Sequence, residues 1–218
     1  MSPTSARSFV ARHTRLAPVP GIDGIRLHLA AEVLPLWQAV QAESADPDAP
    51  LPYWAFAWAG GLAIARHLQV HPELVAGRRV FDLASGSGLC AIVAMRTGAA
   101  SAAAADVDRF AAAAIALNAH ANRRRVAVIH GDVLDDEPPD ADVILAGDCW
   151  YEASLAARVR PWLRRAGESG IDVLVGDPRR RYLPEDDLVE IAAYDVRTTT
   201  ELEDLAVKRG SVFTLRTG

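Results

Sequence analysis

From residue 79 onward the chain alternates short apolar runs with longer stretches of helical spacing, one strand and then one helix. Strands are predicted at Arg79–Leu83, Ser101–Asp106, 126–130, 142–146 and 171–175, and helices at Leu89–Arg96, Arg109–Ala121 and 155–165. Upstream, Leu27, Leu29, Ala30, Val33, Leu34, Leu36 and Trp37 form an apolar stripe that predicts a helix over 25–41. A polar, proline-bearing loop over 43–52 follows, then an aromatic segment, then a helix over 62–68. At the far end a short helix is predicted over 185–191 and alternating strands over 193–199 and 211–216, joined by the charged stretch 201–209. No helix between those last two strands is long enough for a right-handed parallel crossover, so they should pair as a hairpin. The expected fold class is α/β: a Rossmann-like, seven-stranded mixed sheet with helices on both faces and a C-terminal antiparallel β-hairpin. Residues 1–218 read as a single domain, with 1–50 as an N-terminal helical extension.

The chemistry concentrates at the strand ends. Val80-Phe81-Asp82-Leu83-Ala84-Ser85-Gly86-Ser87-Gly88 is a strand ending in an acid, followed by a turn of small residues, and Leu89 opens a helix. Glycines admit a ligand to the backbone, and the helix amides point at it, so this is a cradle for a nucleotide-like molecule. Gly86-Ser87-Gly88-Leu89-Cys90-Ala91 satisfies the dinucleotide pattern G-x-G-x-x-G/A. The wider stretch is also close to the acid-x-G-x-G-x-G pattern of class I S-adenosylmethionine (SAM) methyltransferases, with Ala84 at the usual first glycine. A tight structural turn satisfies the spacing too.

Other acids follow the same edge. Asp82 is suited to a cation or an amine. Asp106 ends the second strand, where a carboxylate accepts ribose hydroxyls, and Asp108 reads as a helix cap. Asp132 follows the third strand, either to take an adenine amino group or to make an Asx turn. Gly147-Asp148-Cys149-Trp150-Tyr151-Glu152 follows the fourth, as a substrate site or as a helix cap with two packing aromatics. In Tyr53-Trp54-Ala55-Phe56-Ala57-Trp58 the aromatics serve the core or line a pocket, and Gly60-Gly61 implies a close backbone approach. Arg179-Arg180-Arg181-Tyr182 is a solvated basic turn or a rim for an acidic protein surface.

Composition narrows the classes. The 218 residues are 50% hydrophobic with a formal net charge of −5, enough for one full core. The acidic balance argues against general nucleic-acid binding, and no apolar run is long enough to span a membrane. Residues 1–20 lack the apolar region of a secretory signal. The two cysteines, Cys90 and Cys149, lie in apolar contexts, which predicts a reducing, cytoplasmic setting with no disulfide and no metal site. A monomer is expected.

Together, residues 53–61, Asp82 to Gly88, 147–152 and Gly176-Asp177-Pro178 resemble the seven-β-strand protein lysine methyltransferases, in the branch that modifies the electron transfer flavoprotein beta subunit. The aromatic-Trp-Gly-Gly segment and the Asp148-x-x-Tyr151 pair carry most of the likeness; Ala84 and Ala59 depart from the glycine and proline expected there. The resemblance implies SAM as cofactor, with Asp82, Ser85, Gly86 and Gly88 on the methionine part and backbone face. Asp106 would take the ribose, Asp132 the adenine amine, and Trp58 would pack beside the cofactor. Asp148 and Tyr151 would be catalytic, lining the channel for the acceptor nitrogen and aiming it. The implied partner is a protein, the electron transfer flavoprotein beta subunit or a ribosomal protein. Similar sequences are also described as nicotinamide N-methyltransferases, so a small-molecule acceptor stays open, and an NAD-dependent oxidoreductase is disfavoured by the terminal hairpin.

Overall fold

Apolar residues from both ends of the chain meet on a central sheet in the computed structural model, which describes residues 3–198 and 207–216. The described strands are β1 Arg15–Pro18, β2 Arg26–Leu29, β3 Arg79–Leu83, β4 Ser101–Asp106, β5 Ala127–His130, β6 Val143–Gly147, β7 Asp172–Asp177, β8 Leu188–Arg197 and β9 Val207–Leu215. The helices are α1 Pro3–His13, α2 Val33–Ser44, α3 Ala59–Val70, α4 Leu89–Arg96, α5 Arg109–Ala121 and α6 Ala153–Glu168. The main sheet runs β5-β4-β3-β6-β7-β9-β8. Only β9 opposes its neighbours among these strands, pairing antiparallel with β7 and with β8. The expected seven-stranded mixed sheet with its terminal hairpin is therefore present. Strand order reverses between β3 and its neighbours β4 and β6, which opens a crevice at their C-terminal ends.

The alanine-rich strand β4 shows tertiary context overriding propensity. Ala102, Ala104 and Ala105 are buried between β3 and β5, whereas the equally alanine-rich α5 is free to coil over the sheet. Two apolar clusters flank the sheet: α3 and α4 pack on one face, and α6 packs on the other with Trp162 and Leu163. A third cluster joins Phe9, Val10, Leu36, Trp54 and Phe56 to Phe110 on α5. This third core fastens the N-terminal helices and the aromatic segment beside the crevice, and Phe9 meets Phe110 at 4.6 Å between ring centroids.

Three expectations need correction. The helix expected over 25–41 is two elements, strand β2 and helix α2 from Val33. Leu27 and Leu29 also satisfy a two-residue period, and β1 supplies the ladder partner. Buried Asn118 on α5 adds a 2.7 Å bond from the His28 amide, and Asn122 brackets the Arg26 backbone. The helix expected over 185–191 is a 3-10 turn at Glu185–Asp187 followed by β8, because the chain from Leu188 finds a full-length ladder on β9. Helix α3 starts at Ala59, so Gly60 and Gly61 lie inside its first turn. Thr199 and the part of the charged linker at 201–206 fall outside the described residues.

Candidate functional site

At the tip of β3 the backbone folds into a loop that its own acids hold. Ala84, Gly86 and Gly88 all have positive φ, at 49°, 55° and 82°. Glycine takes that conformation freely; Ala84 takes it at a cost of about 1–2 kcal/mol. The Asp82 carboxylate accepts the Ser85 hydroxyl at 2.5 Å and the Ala91 amide at 3.0 Å, so it ties the loop to the first turn of α4. Burial pushes its pKa up to about 7. Asp106, at the tip of β4, accepts the Gly86 amide at 2.8 Å and the Asp108 amide at 2.9 Å, and burial raises it to about 6. Each carboxylate oxygen has two lone pairs, so Asp106 keeps acceptor capacity for a ligand hydroxyl. Asp108 caps α5 through a 2.7 Å bond from the Phe110 amide, as expected of it. Beyond β5, Asp132 accepts the Leu134 amide at 3.0 Å, making the Asx turn, and pairs with Arg158 of α6 at 2.6 Å. Arg158 also reaches Asp135 at 2.9 Å, and its guanidinium holds the Asp132 carboxyl below its usual range.

The ends of β6 and β7 are built differently. The first turn of α3 presses against them so closely that only glycine fits. A Cβ on Gly60 would lie 2.1 Å from the Gly176 carbonyl oxygen, and one on Gly147 would lie 3.0 Å from the Gly61 Cα. The close approach implied by Gly60-Gly61 is thus made to strand ends. It brings the α3 amides onto Asp148, whose Oδ1 accepts Gly60 N–H at 2.9 Å and whose Oδ2 accepts Gly61 N–H at 2.6 Å. Asp148 itself sits at φ 59°, which turns its side chain toward the helix. A third donor is Arg180, whose Nη1 lies 2.5 Å from Asp148 Oδ1 and 3.0 Å from Asp177 Oδ2. Asp177 is fully buried and accepts the Arg180 backbone amide at 2.5 Å.

Between these two halves lies one cavity of about 560 Å³. Its walls include the loop over 82–87, Asp106, Asp132 and Arg158 on one side, and Asp148, Tyr151 and Arg180 on the other. The aromatic segment forms a third wall. Trp58 donates its Nε1–H to the Tyr53 carbonyl at 2.9 Å, and Tyr53 stands 5.6 Å from the Trp58 ring and 5.1 Å from Tyr151. Tyr151 lies in the turn before α6 rather than in its first helical turn, and its ring is 44% exposed. Desolvation pushes its phenol to about 12, so it enters chemistry as a neutral hydroxyl. Trp150 turns away into the core and is 1% exposed.

Eight of the nine candidate residues line one cavity. Gly88 is set slightly behind it against Ile115 of α5, where a Cβ would approach to 3.3 Å. Arg158 and Arg180 are the basic cavity residues that the sequence reading did not place in the site. Arg180 was half visible, as one of three basic residues after Asp177-Pro178, but only the fold separates its inward path from that of Arg179, which pairs outward with Glu185 and Glu190.

A glycine cradle at the sheet's switch point, with an acid on each following strand tip and seven strands ending in a hairpin, defines the Rossmann-like methyltransferase class. The family model "Ribosomal protein L11 methyltransferase (PrmA)" matches residues 68–147. Similarity of fold extends to the ribosomal protein L11 methylase of Lactobacillus delbrueckii subsp. bulgaricus, with a TM-score of 0.51 and 21% identity over 71% of this chain and 77% of that one. The chain is 33% identical to the electron transfer flavoprotein beta subunit lysine methyltransferase of Xenopus laevis, over 97% of this chain and 87% of that protein. It is also 33% identical to the Homo sapiens protein of that name, over 74% of this chain and 64% of the other. The chain belongs to the electron transfer flavoprotein beta subunit lysine methyltransferase family, and it is an S-adenosylmethionine-dependent methyltransferase.

The cavity fits that cofactor on its own terms. Its volume lies in the range of small-molecule sites, roughly 300–1,000 Å³. The positive-φ glycine leaves the loop backbone open where a side chain would fill it, and its acids present acceptors to hydroxyl and amino groups.

Proposed function

We propose that the chain methylates the side-chain amine of a lysine in a folded protein partner, with the electron transfer flavoprotein beta subunit as the leading acceptor and a ribosomal protein as the second. One observation carries this reading: a single cavity joins the glycine cradle to Asp148 and Tyr151. The family membership supports the choice of acceptor. In this reading Asp82, Ser85, Gly86 and Gly88 shape the backbone face of the SAM site, Asp106 accepts from its ribose, Asp132 from its adenine amine, and Trp58 packs beside it. When bound, the cofactor supplies an electrophilic methyl on a sulfonium. Asp148 and Tyr151 bind and aim the acceptor nitrogen. Three of the roughly four acceptor positions of the Asp148 carboxylate are filled by Gly60, Gly61 and Arg180, which leaves one to fix the direction of an incoming N–H. The Tyr151 hydroxyl, neutral at working pH, offers a second hydrogen-bond contact. Alignment of this kind can supply roughly 7–11 kcal/mol of a barrier. The aromatic wall of Tyr53 and Trp58 excludes water from the reacting centre.

The reading takes residues 1–218 as one methyltransferase domain acting as a monomer in the cytoplasm. The two buried free thiols, Cys90 and Cys149, support a reducing compartment. Among the described residues no helix is long and apolar enough to cross a membrane.

The test is methyl transfer from labelled SAM into purified acceptor proteins and, separately, into nicotinamide. Label on lysine of the flavoprotein beta subunit is the expected result. Efficient turnover of nicotinamide with none in protein would overturn it.

A further inference from the structure

Asp148 does not meet the cavity as a bare carboxylate. Arg180 reaches in from the turn after β7, and its own position is doubly fixed on the fully buried Asp177, through the backbone amide at 2.5 Å and the guanidinium at 3.0 Å. Its side chain is 18% exposed, against 13% for that of Asp148, so the pair is shielded from solvent and salt. Arg180 also lines the cavity itself.

The electrostatic surroundings of this pair can be named. Asp177 on β7, Cys90 on α4 and Cys149 after β6 all interact with Asp148. Asp82 on β3 and Tyr151 line the same space. Burial pushes both thiols well up and Tyr151 to about 12, so all three are neutral. The ionisable charges around the acceptor end are therefore the carboxylates of Asp148, Asp177 and Asp82, the last two raised by burial to about 6 and about 7. Glu152 and Asp106 act on Tyr151, and Arg180 is the cation beside Asp148 and Asp177.

We propose that Arg180 is a charge-setting residue for the acceptor nitrogen: by offsetting part of the charge of Asp148 and Asp177 it weakens the acceptor end's hold on an ammonium and so favours a neutral lysine amine. The inference rests on the lysine reading given above. A free lysine has a pKa of about 10.4, so it arrives protonated. It must lose one proton to water to free the lone pair that accepts the methyl group. An unpaired Asp148 beside it, with Asp177 behind, would hold that proton, since a nearby opposite charge shifts a pKa by about 1–3 units toward the charged form. With its charge partly offset by Arg180, Asp148 keeps its hydrogen-bond direction while exerting a weaker opposing pull. The site then separates two tasks that a lone carboxylate would mix: aiming the nitrogen and stabilising its charge.

The experiment is the pH profile of kcat, which reports groups in the enzyme–substrate complex, for the full chain with the flavoprotein beta subunit as acceptor, for the wild type, Arg180→Gln and Arg180→Lys. The wild-type acid limb should lie no higher than the ordinary lysine value of about 10.4. Arg180→Gln should move that limb up by about one unit, and Arg180→Lys should return most of the shift. S-adenosylhomocysteine affinity, read by calorimetry, should stay within about threefold in both variants, which separates a charge effect from general loss of the site. A limb unmoved in Arg180→Gln, or moved down, would overturn the proposal. So would a wild-type limb about one unit or more above the ordinary lysine value, a result that needs no variant to fold. If the wild type transfers no methyl to lysine at all, the lysine reading has failed and this inference falls with it. If the wild type methylates lysine and only the limb refuses to move, the inference alone has failed.

Discussion

The two halves of the cavity hold their acids in opposite ways. Under the glycine loop, Asp82 and Asp106 accept from a hydroxyl and from backbone amides, with no cation in contact, and burial raises both. Across the cavity, Asp148 and Asp177 are held by helix amides and by Arg180. The first arrangement holds its acceptors fixed without a paired cation, which suits hydroxyl and amino groups. The second sets a cation against its acids: burial raises Asp177 to about 6 as it raises Asp106, but Arg180 is bonded to both Asp148 and Asp177. Close glycine-mediated contact marks that second half: α3 lies against the ends of β6 and β7, and the same helix also meets Gly210 of β9.

The strongest way to break the contrast is Gly60→Ala. The added Cβ would meet backbone at 2.1 Å, where no side chain can move aside. We expect a loss of at least about 3 kcal/mol in urea denaturation; a loss under 1 kcal/mol would mean that the junction is not the rigid base of the acceptor half. Asp106→Ala acts on the other half. It should weaken SAM binding by about 1.5–3 kcal/mol in calorimetry while leaving the Asp148 network intact; unchanged affinity would remove Asp106 from the cofactor's contacts.

Asp82→Asn sharpens the contrast through pH. Burial raises the Asp82 carboxyl from 3.8 to about 7, so the folded chain binds this proton more tightly than the unfolded chain does. The stability it gives is complete below about pH 4 and is lost as pH rises through 7. The Asn variant should show a flatter fall in Tm between pH 4 and 8 than the wild type, and parallel curves would contradict that burial effect. The smallest effect belongs to Ala84→Gly. Relief of the positive φ at about 1–2 kcal/mol is partly offset by glycine's greater chain entropy of roughly 0.5–1 kcal/mol, so a net gain below about 1 kcal/mol is expected. A loss of stability in thermal melts would show that the alanine is not strained there.

Much of this was legible in the chain because strands and helices of the α/β core carry local signals. Arg79–Leu83, Leu89–Arg96 and Arg109–Ala121 begin and end where their apolar runs, small-residue turns and caps place them. The site residues were legible because they sit at strand ends, where polar groups after a buried run stand out. What was not legible depended on partners distant in sequence. β2 reads as helix until β1 and the two α5 asparagines claim its backbone. The start of β8, over 188–191, reads as helix until β9 pairs with it. Gly60 and Gly61 signal a close approach, but only the sheet identifies what approaches. Arg180 and Arg158 are ordinary surface-type residues whose inward course is set by Asp177 and Asp132, each brought to them by the fold.

The measurement that bears most directly on the division between the two halves is Asp148→Asn, with transfer to the protein acceptor and SAM affinity read on the same preparation. The substitution keeps size but removes the charge and one acceptor oxygen, so some loss of Tm is expected from the α3 amides it holds. We predict that kcat/KM for the protein acceptor falls at least about tenfold, or 1.4 kcal/mol, while SAM affinity changes by less than about threefold and the thermal shift on adding SAM persists. Loss of SAM binding, or methylation left untouched, would contradict the assignment of Asp148 to the acceptor half.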